Sequence, residues 1–98
     1  MTPNRTRISE LYERERQRFA ETHPRSKELH EKAKASLLSG VPMNWMTRWA
    51  GSFPVFFDQA SGAEIVDVDG NVYADLCLGD TGAMTGHAPE PTIAAVRE

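Results

Sequence analysis

The run Gly62-Ala-Glu-Ile-Val-Asp-Val-Asp-Gly-Asn-Val-Tyr-Ala-Asp75 decides how this 98-residue chain folds. Its two halves, Glu64-Ile-Val-Asp-Val68 and Val72-Tyr-Ala-Asp-Leu76, are rich in strand-forming residues and meet across Asp69-Gly70-Asn71. Asp-Gly and Gly-Asn supply the positive φ angles that tight turns need, so the run predicts a β-hairpin. An earlier strand, Val55 to Asp58, reaches Ile65 through the turn residues Ala60-Ser61-Gly62, which extends the prediction to a three-stranded antiparallel meander. Asp67-x-Asp69-x-Asn71 has the opening spacing of a calcium loop. That pattern next requires glycine and later a glutamate, and Val72 and Leu78 stand at those places. The acids are therefore read as turn and edge residues.

Working back toward the N-terminus, Ile8, Leu11, Tyr12 and Phe19 share one face at helical spacing and predict a helix from about Ile8 to Thr22. Pro24 ends it, since proline disfavours the helical state in the residue before it. A second helix is expected from Ser26 as N-cap, with Glu28 in its first turn, an apolar stripe of Leu29, Ala33 and Leu37, and Ser39-Gly40 as its stop. His23 and His30 read as surface residues. The first 34 residues hold nine Lys/Arg against six Asp/Glu, and the remainder two against eight. Arg14, Arg16 and Arg18 interleave with Glu10, Glu13 and Glu15, giving helical neighbours of opposite sign. Such mixing cancels attraction to phosphates and argues against a nucleic-acid partner.

Between helices and meander, Trp45, Trp49, Phe53, Phe56 and Phe57 crowd a stretch punctuated by Pro42, Gly51 and Pro54. Aromatics at this density signal burial, either at an interface or against a core whose remainder lies elsewhere. Arg48 is the only Lys or Arg between Lys34 and Arg97. A guanidinium in apolar surroundings could hold a substrate carboxylate bidentately, with Trp45 or Trp49 alongside, or could pair with one of the acids of this half. The residues alone leave both readings open.

After the meander, Leu78 to Ala88 is a loop containing Gly79, Gly82 and Gly86. Their spacing matches neither the dinucleotide fingerprint nor the P-loop, so they are read as conformational. His87 would need an orienting carboxylate to act as a base, and Asp80 is the candidate in the loop; a hydrogen bond to loop backbone is the favoured reading. Pro89-Glu90-Pro91 opens a helix that has a start signal and no stop before Glu98, from which the chain is expected to continue. The composition, 40% apolar and 26% charged, is that of ordinary globular chains. A single cysteine, Cys77, builds neither a disulfide framework nor a metal site. No run of about 18 apolar residues offers a membrane span, the N-terminus lacks the apolar centre of a secretory signal, and a cytoplasmic setting is expected.

In order and spacing, these segments resemble the N-terminal region of class III enzymes dependent on pyridoxal phosphate (PLP), in particular those similar to glutamate-1-semialdehyde aminomutase. The resemblance rests on Ser39-Gly40-Val41-Pro42, on Arg48, on the Gly62 to Asp75 run, and on Gly86-His87 shortly before a proline and a helix. It covers roughly residues 25–98 and implies an α+β fragment of an α/β PLP-dependent transferase of fold type I. Its parts would be two N-terminal helices, an antiparallel β-meander and the start of a further helix. Residues 1–24 would be a helical extension, with 25–98 the N-terminal segment of the aminotransferase and the large PLP domain absent. The resemblance further implies a homodimeric parent acting on a small amino or keto acid. Arg48 would bind the substrate carboxylate, with Trp45 beside it and Asp80 in the loop that lines the substrate side. In the aminomutase branch a tryptophan stands where this chain has Asp80, which turns the expectation toward another amino or keto acid. The lysine that holds PLP lies far downstream in that family. Lys27, Lys32 and Lys34 do not match it, so this chain alone is expected to be inactive. The alternative from another class is a small stand-alone interaction module using the aromatic segment 45–57.

Overall fold

The computed structural model describes residues 2–98. They form two compact units, one reaching to Val55 and the other Phe56–Glu98.

The first unit opens with α1 (Arg5–Thr22). It starts earlier than the apolar spacing suggested, because Asn4 caps it: the Asn4 carboxamide oxygen accepts from the Arg7 amide at 2.9 Å. The charges pair along its surface, Arg7 with Glu10 at 3.5 Å, Arg16 with Glu13 at 3.4 Å and Arg18 with Glu15 at 3.8 Å. Ile8 and Tyr12, on the apolar face, remain 53% and 52% exposed, so only the C-terminal end of that face is packed. There Phe19 stacks on His23 at 4.3 Å, tilts against Phe53 at 4.8 Å and meets Trp49 edge-on at 5.4 Å.

α2 spans Pro24–Ala33, with His23 rather than Ser26 as its N-cap. Proline lacks the N–H that a first helical residue leaves unused, so Pro24 itself starts the helix and draws Ser26 inside, where it is fully buried. His23 is likewise no surface residue: its ring is buried, and Nδ1 lies 2.8 Å from the Phe19 carbonyl and 2.9 Å from the Thr22 hydroxyl. His30 reaches the Ser39 carbonyl at 3.0 Å. α2 stops short of Leu37, and Leu38–Gly40 form a separate 3-10 turn. Gly40 has φ +70, and a Cβ there would come within 2.7 Å of the His30 ring. The chain therefore turns tightly beneath His30 instead of continuing the helix. A second 3-10 turn, Asn44–Thr47, leads into the aromatic stretch.

The second unit is the meander. β1 (Phe57–Ser61), β2 (Glu64–Asp67) and β3 (Val72–Ala74) form one antiparallel sheet in sequence order. β1 lies later than Val55 to Asp58 and runs through Ala60 and Ser61, because Ser61 pairs with Glu64 and leaves Gly62-Ala63 as the connection. Gly62 supplies φ +58 there. Across the second hairpin Ile65 faces Tyr73 and Val66 faces Val72. α3 (Glu90–Arg97) follows with Glu90 in its first turn and Arg97 in its last, each favourable to the helix dipole. No helix among the described residues is long and apolar enough to cross a membrane.

The β2–β3 turn is built on one side chain. Asp67 is 1% exposed; Oδ1 accepts the amides of Asp69 at 2.9 Å and Asn71 at 2.8 Å. Oδ2 accepts the Asn71 carboxamide at 2.9 Å and the Tyr73 hydroxyl at 2.7 Å. Burial alone would push the carboxyl up. Hydrogen bonds from Asn71, Tyr73 and the Asn71 and Asp69 amides outweigh it and hold Asp67 below the usual carboxylate range. Tyr73 moves the other way, to about 12, through burial and its bond to the anion.

Asp67→Ala is expected to destabilise the meander by on the order of 2–3 kcal/mol, since it strands the Tyr73 hydroxyl and the turn amides. Because the folded carboxyl titrates below its unfolded value, its stabilisation is complete at neutral pH. It fades as pH falls from about 4 through the folded pKa. Urea unfolding of wild type and Asp67→Asn across that range checks this; parallel acid dependences would refute it.

Candidate functional site

The residues expected to carry function occupy two places, one in each unit. Trp45 and Arg48 share the Asn44–Thr47 turn, whose last bond runs from the Arg48 amide to the Trp45 carbonyl at 2.9 Å. Trp45 is 62% exposed, and the Arg48 side chain is in solvent. The guanidinium pairs with no carboxylate among the described residues. Trp49 is fixed against Phe19, while Phe53 is buried. The aromatic stretch thus divides: Trp49 and Phe53 anchor the segment on Phe19 of α1, and Trp45 with Arg48 faces outward.

Asp80 lies in the second unit, in the loop between β3 and α3, with its side chain exposed and the Cys77 thiol 3.8 Å from Oδ1. Leu78, Gly79 and Asp80 have φ of 54°, 58° and 61°, three consecutive left-handed residues. The Leu78 carbonyl accepts the Ala83 amide at 2.9 Å, and the Gly79 carbonyl accepts the Thr81 amide at 2.8 Å.

His87 is not partnered by Asp80. Its Nε2 donates to Asp75 Oδ2 at 2.5 Å, while its backbone exchanges two hydrogen bonds with Gly62, at 2.9 and 2.8 Å. The ring therefore does not bond loop backbone as the sequence suggested: its partner is a carboxylate just after β3, which the meander brings within reach. The other Asp75 oxygen accepts the amides of Cys77 and Leu78, each at 2.9 Å. The His87 bond, followed by those of the Leu78 and Cys77 amides, holds the Asp75 carboxyl below its usual range. The spacing from Asp75 to His87 hides this partnership. The meander reveals it: the Asp75 amide bonds the Ala63 carbonyl at 2.8 Å, which returns Asp75 to the turn where Gly62 meets His87.

Lys27, Lys32 and Lys34 all lie exposed on or just after α2, and Lys34 is held by Glu31 at 2.6 Å. None is desolvated as a Schiff-base amine must be, so these residues do not fit the covalent anchoring of PLP. Among the described residues no cluster of three or more His, Cys, Asp or Glu side chains is arranged to hold a metal ion.

No protein-family model matches the chain. It is 42% identical over 74 residues to the glutamate-1-semialdehyde 2,1-aminomutase of Methanocaldococcus jannaschii, a match covering 76% of this chain and 17% of that protein. The enzyme of the same name from Thermoplasma acidophilum is 38% identical over 73 residues, covering 74% and 17%. Among solved structures, a glutamate-1-semialdehyde-aminomutase from Pseudomonas aeruginosa, in complex with PMP, aligns at TM-score 0.84 and 40% identity. That alignment covers 94% of this chain and 20% of the other. A β-phenylalanine aminotransferase from Variovorax paradoxus shares the fold at TM-score 0.81 and 24% identity, over 91% of this chain and 20% of that one. The chain spans about a fifth of the length of the proteins it matches, and its helices and meander are a piece of their fold.

The contact of Gly86 with Gly62 disfavours a side chain: Gly86 has φ +91, and a Cβ would be crowded at 3.3 Å from the Gly62 backbone. Gly86→Ala is expected to cost on the order of 1–2 kcal/mol by combining strain with crowding. Thermal unfolding beside Gly82→Ala, where φ is not positive and a Cβ would meet only the Gly79 carbonyl at an ordinary 3.6 Å, measures the difference. Equal losses would refute it.

Proposed function

We propose that this homologue of the glutamate-1-semialdehyde aminomutases is the N-terminal portion of a class III, PLP-dependent aminotransferase that moves an amino group between an amino acid and a keto acid or aldehyde. The observation that carries the proposal is the agreement with the Pseudomonas aeruginosa aminomutase over 94% of the chain at 40% identity. PLP, when bound in the parent, supplies the electron sink for amino transfer. The lysines present do not fit it, so this chain contributes to the substrate side and is inactive alone. Residues 1–24 serve as a helical extension and 25–98 as the enzyme's N-terminal segment; the Methanocaldococcus jannaschii match, at 74 residues, is as long as the latter.

In this reading, as the resemblance implies, Arg48 binds the carboxylate of a small amino or keto acid with Trp45 beside it, and Asp80 belongs to the loop that lines the substrate side in that family. The unpaired guanidinium supports that role, because a planar fork without a carboxylate partner is ready to receive one. The exposed Trp45 and Phe57 are faces that the rest of the enzyme, arranged as a cytoplasmic homodimer, covers. This accounts for the aromatic segment without a stand-alone binding module.

The intact mass of the native gene product tests the proposal. A mass several times 10.9 kDa, with a bound PLP chromophore that responds to amino donors, is expected. A native product of 10.9 kDa would sink it. In the native enzyme Arg48→Ala is expected to raise KM for a carboxylate substrate by roughly 10–100-fold, with a smaller change for an amine lacking the carboxylate. Equal effects on the two substrates would remove Arg48 from the site.

A further inference from the structure

We infer that Asp75 and His87, tied to Gly62, act as a positioning pair that sets the shape of the Cys77–Gly86 loop and with it the presentation of Asp80. That the loop faces substrate rests on the aminotransferase reading above.

The loop carries strain that something must hold. Leu78, Gly79 and Asp80 are successive left-handed residues, and two of the three bear side chains that disfavour this backbone. Such conformations persist where the surroundings over-determine them. Here one carboxylate reaches both ends of the loop. Asp75 Oδ1 takes the amides of Cys77 and Leu78, which lead into the left-handed turn. Asp75 Oδ2 takes the His87 ring at the far end.

Both partners are themselves fixed. The Asp75 amide is bonded to Ala63, and the His87 backbone is paired with Gly62, so the loop closes on the β1–β2 turn. Gly86 lies against Gly62, where a Cβ would be crowded at 3.3 Å, and the paired backbone places the His87 ring within reach of Asp75. Without the ring, the amides of Cys77 and Leu78 would retain an acceptor, but that carboxylate could swing away from the turn. Asp80 ends the left-handed stretch, so its direction follows the geometry of the residues before it.

Hydrogen exchange read by mass spectrometry on the native gene product, together with its steady-state kinetics, tests the pair. His87→Phe should speed exchange of the amides in residues 76–88 by roughly tenfold or more while leaving residues 64–74 unchanged. His87→Gln, whose amide nitrogen can stand near the place of Nε2, should restore protection. Asp75→Asn should behave like His87→Phe, and it serves alone if the phenylalanine variant does not fold. In kinetics, His87→Phe should raise KM for the amino substrate roughly tenfold with a much smaller change in kcat, and His87→Gln should recover it. Unchanged exchange at 76–88 in both disabling variants, or a glutamine variant no better than phenylalanine, overturns the inference. A native product that turns over no amino donor would instead remove the aminotransferase reading, and the exchange data would still decide whether the pair shapes the loop.

Discussion

The second unit depends on a buried negative charge. Asp67 is almost fully removed from water, and a carboxylate there is tolerable only because backbone and side-chain donors surround it. Those donors come from the turn and from β3, so satisfying the charge closes the hairpin. Tyr73 can reach Oδ2 only when Ile65 stands opposite Tyr73. A slip of one residue would send the hydroxyl to the other face and leave the charge unpaired. The hairpin register thus has an electrostatic determinant as well as an apolar one. Register in turn places Asp75 beside Ala63, next to the turn that receives His87.

The first unit is held differently. It has little apolar interior beyond Val41 and Phe53, and its organising contacts are aromatic: Phe19 touches His23, Trp49 and Phe53. Pro24 makes this arrangement possible. By forcing a break directly after α1, it turns His23 back onto Phe19 and draws Ser26 into the helix interior. Ile8, Tyr12 and Trp45 are left at the surface.

What could be read from the sequence was whatever local chemistry decides. Asp69-Gly70-Asn71 announces a turn because only a few residues accept its backbone, and Pro89-Glu90 announces a helix start for the same kind of reason. The second and third strands and the third helix follow from such signals. What escaped were pairings between residues distant in sequence or hidden by packing. Asp67 reads as a surface turn acid until Tyr73 is seen to need it. His23 reads as exposed because a polar ring beside a charged helix usually is. Asp75 and His87 are twelve positions apart, linked only once the meander has folded. Ser26 misleads for another reason: two valid capping signals compete, and the proline wins because its missing N–H and fixed φ cost nothing at a first helical position.

The loop after β3 shows the same logic carried to the candidate site. A left-handed turn of L-residues costs roughly 1–2 kcal/mol per residue, so a flexible loop would relax out of it. It is retained where a carboxylate grips the amides entering the turn and the imidazole closing the loop. Polar groups that look like spare catalytic machinery, an aspartate and a histidine at short distance, are therefore already engaged with each other and with the backbone. Their engagement leaves Asp80 as the loop's exposed carboxylate.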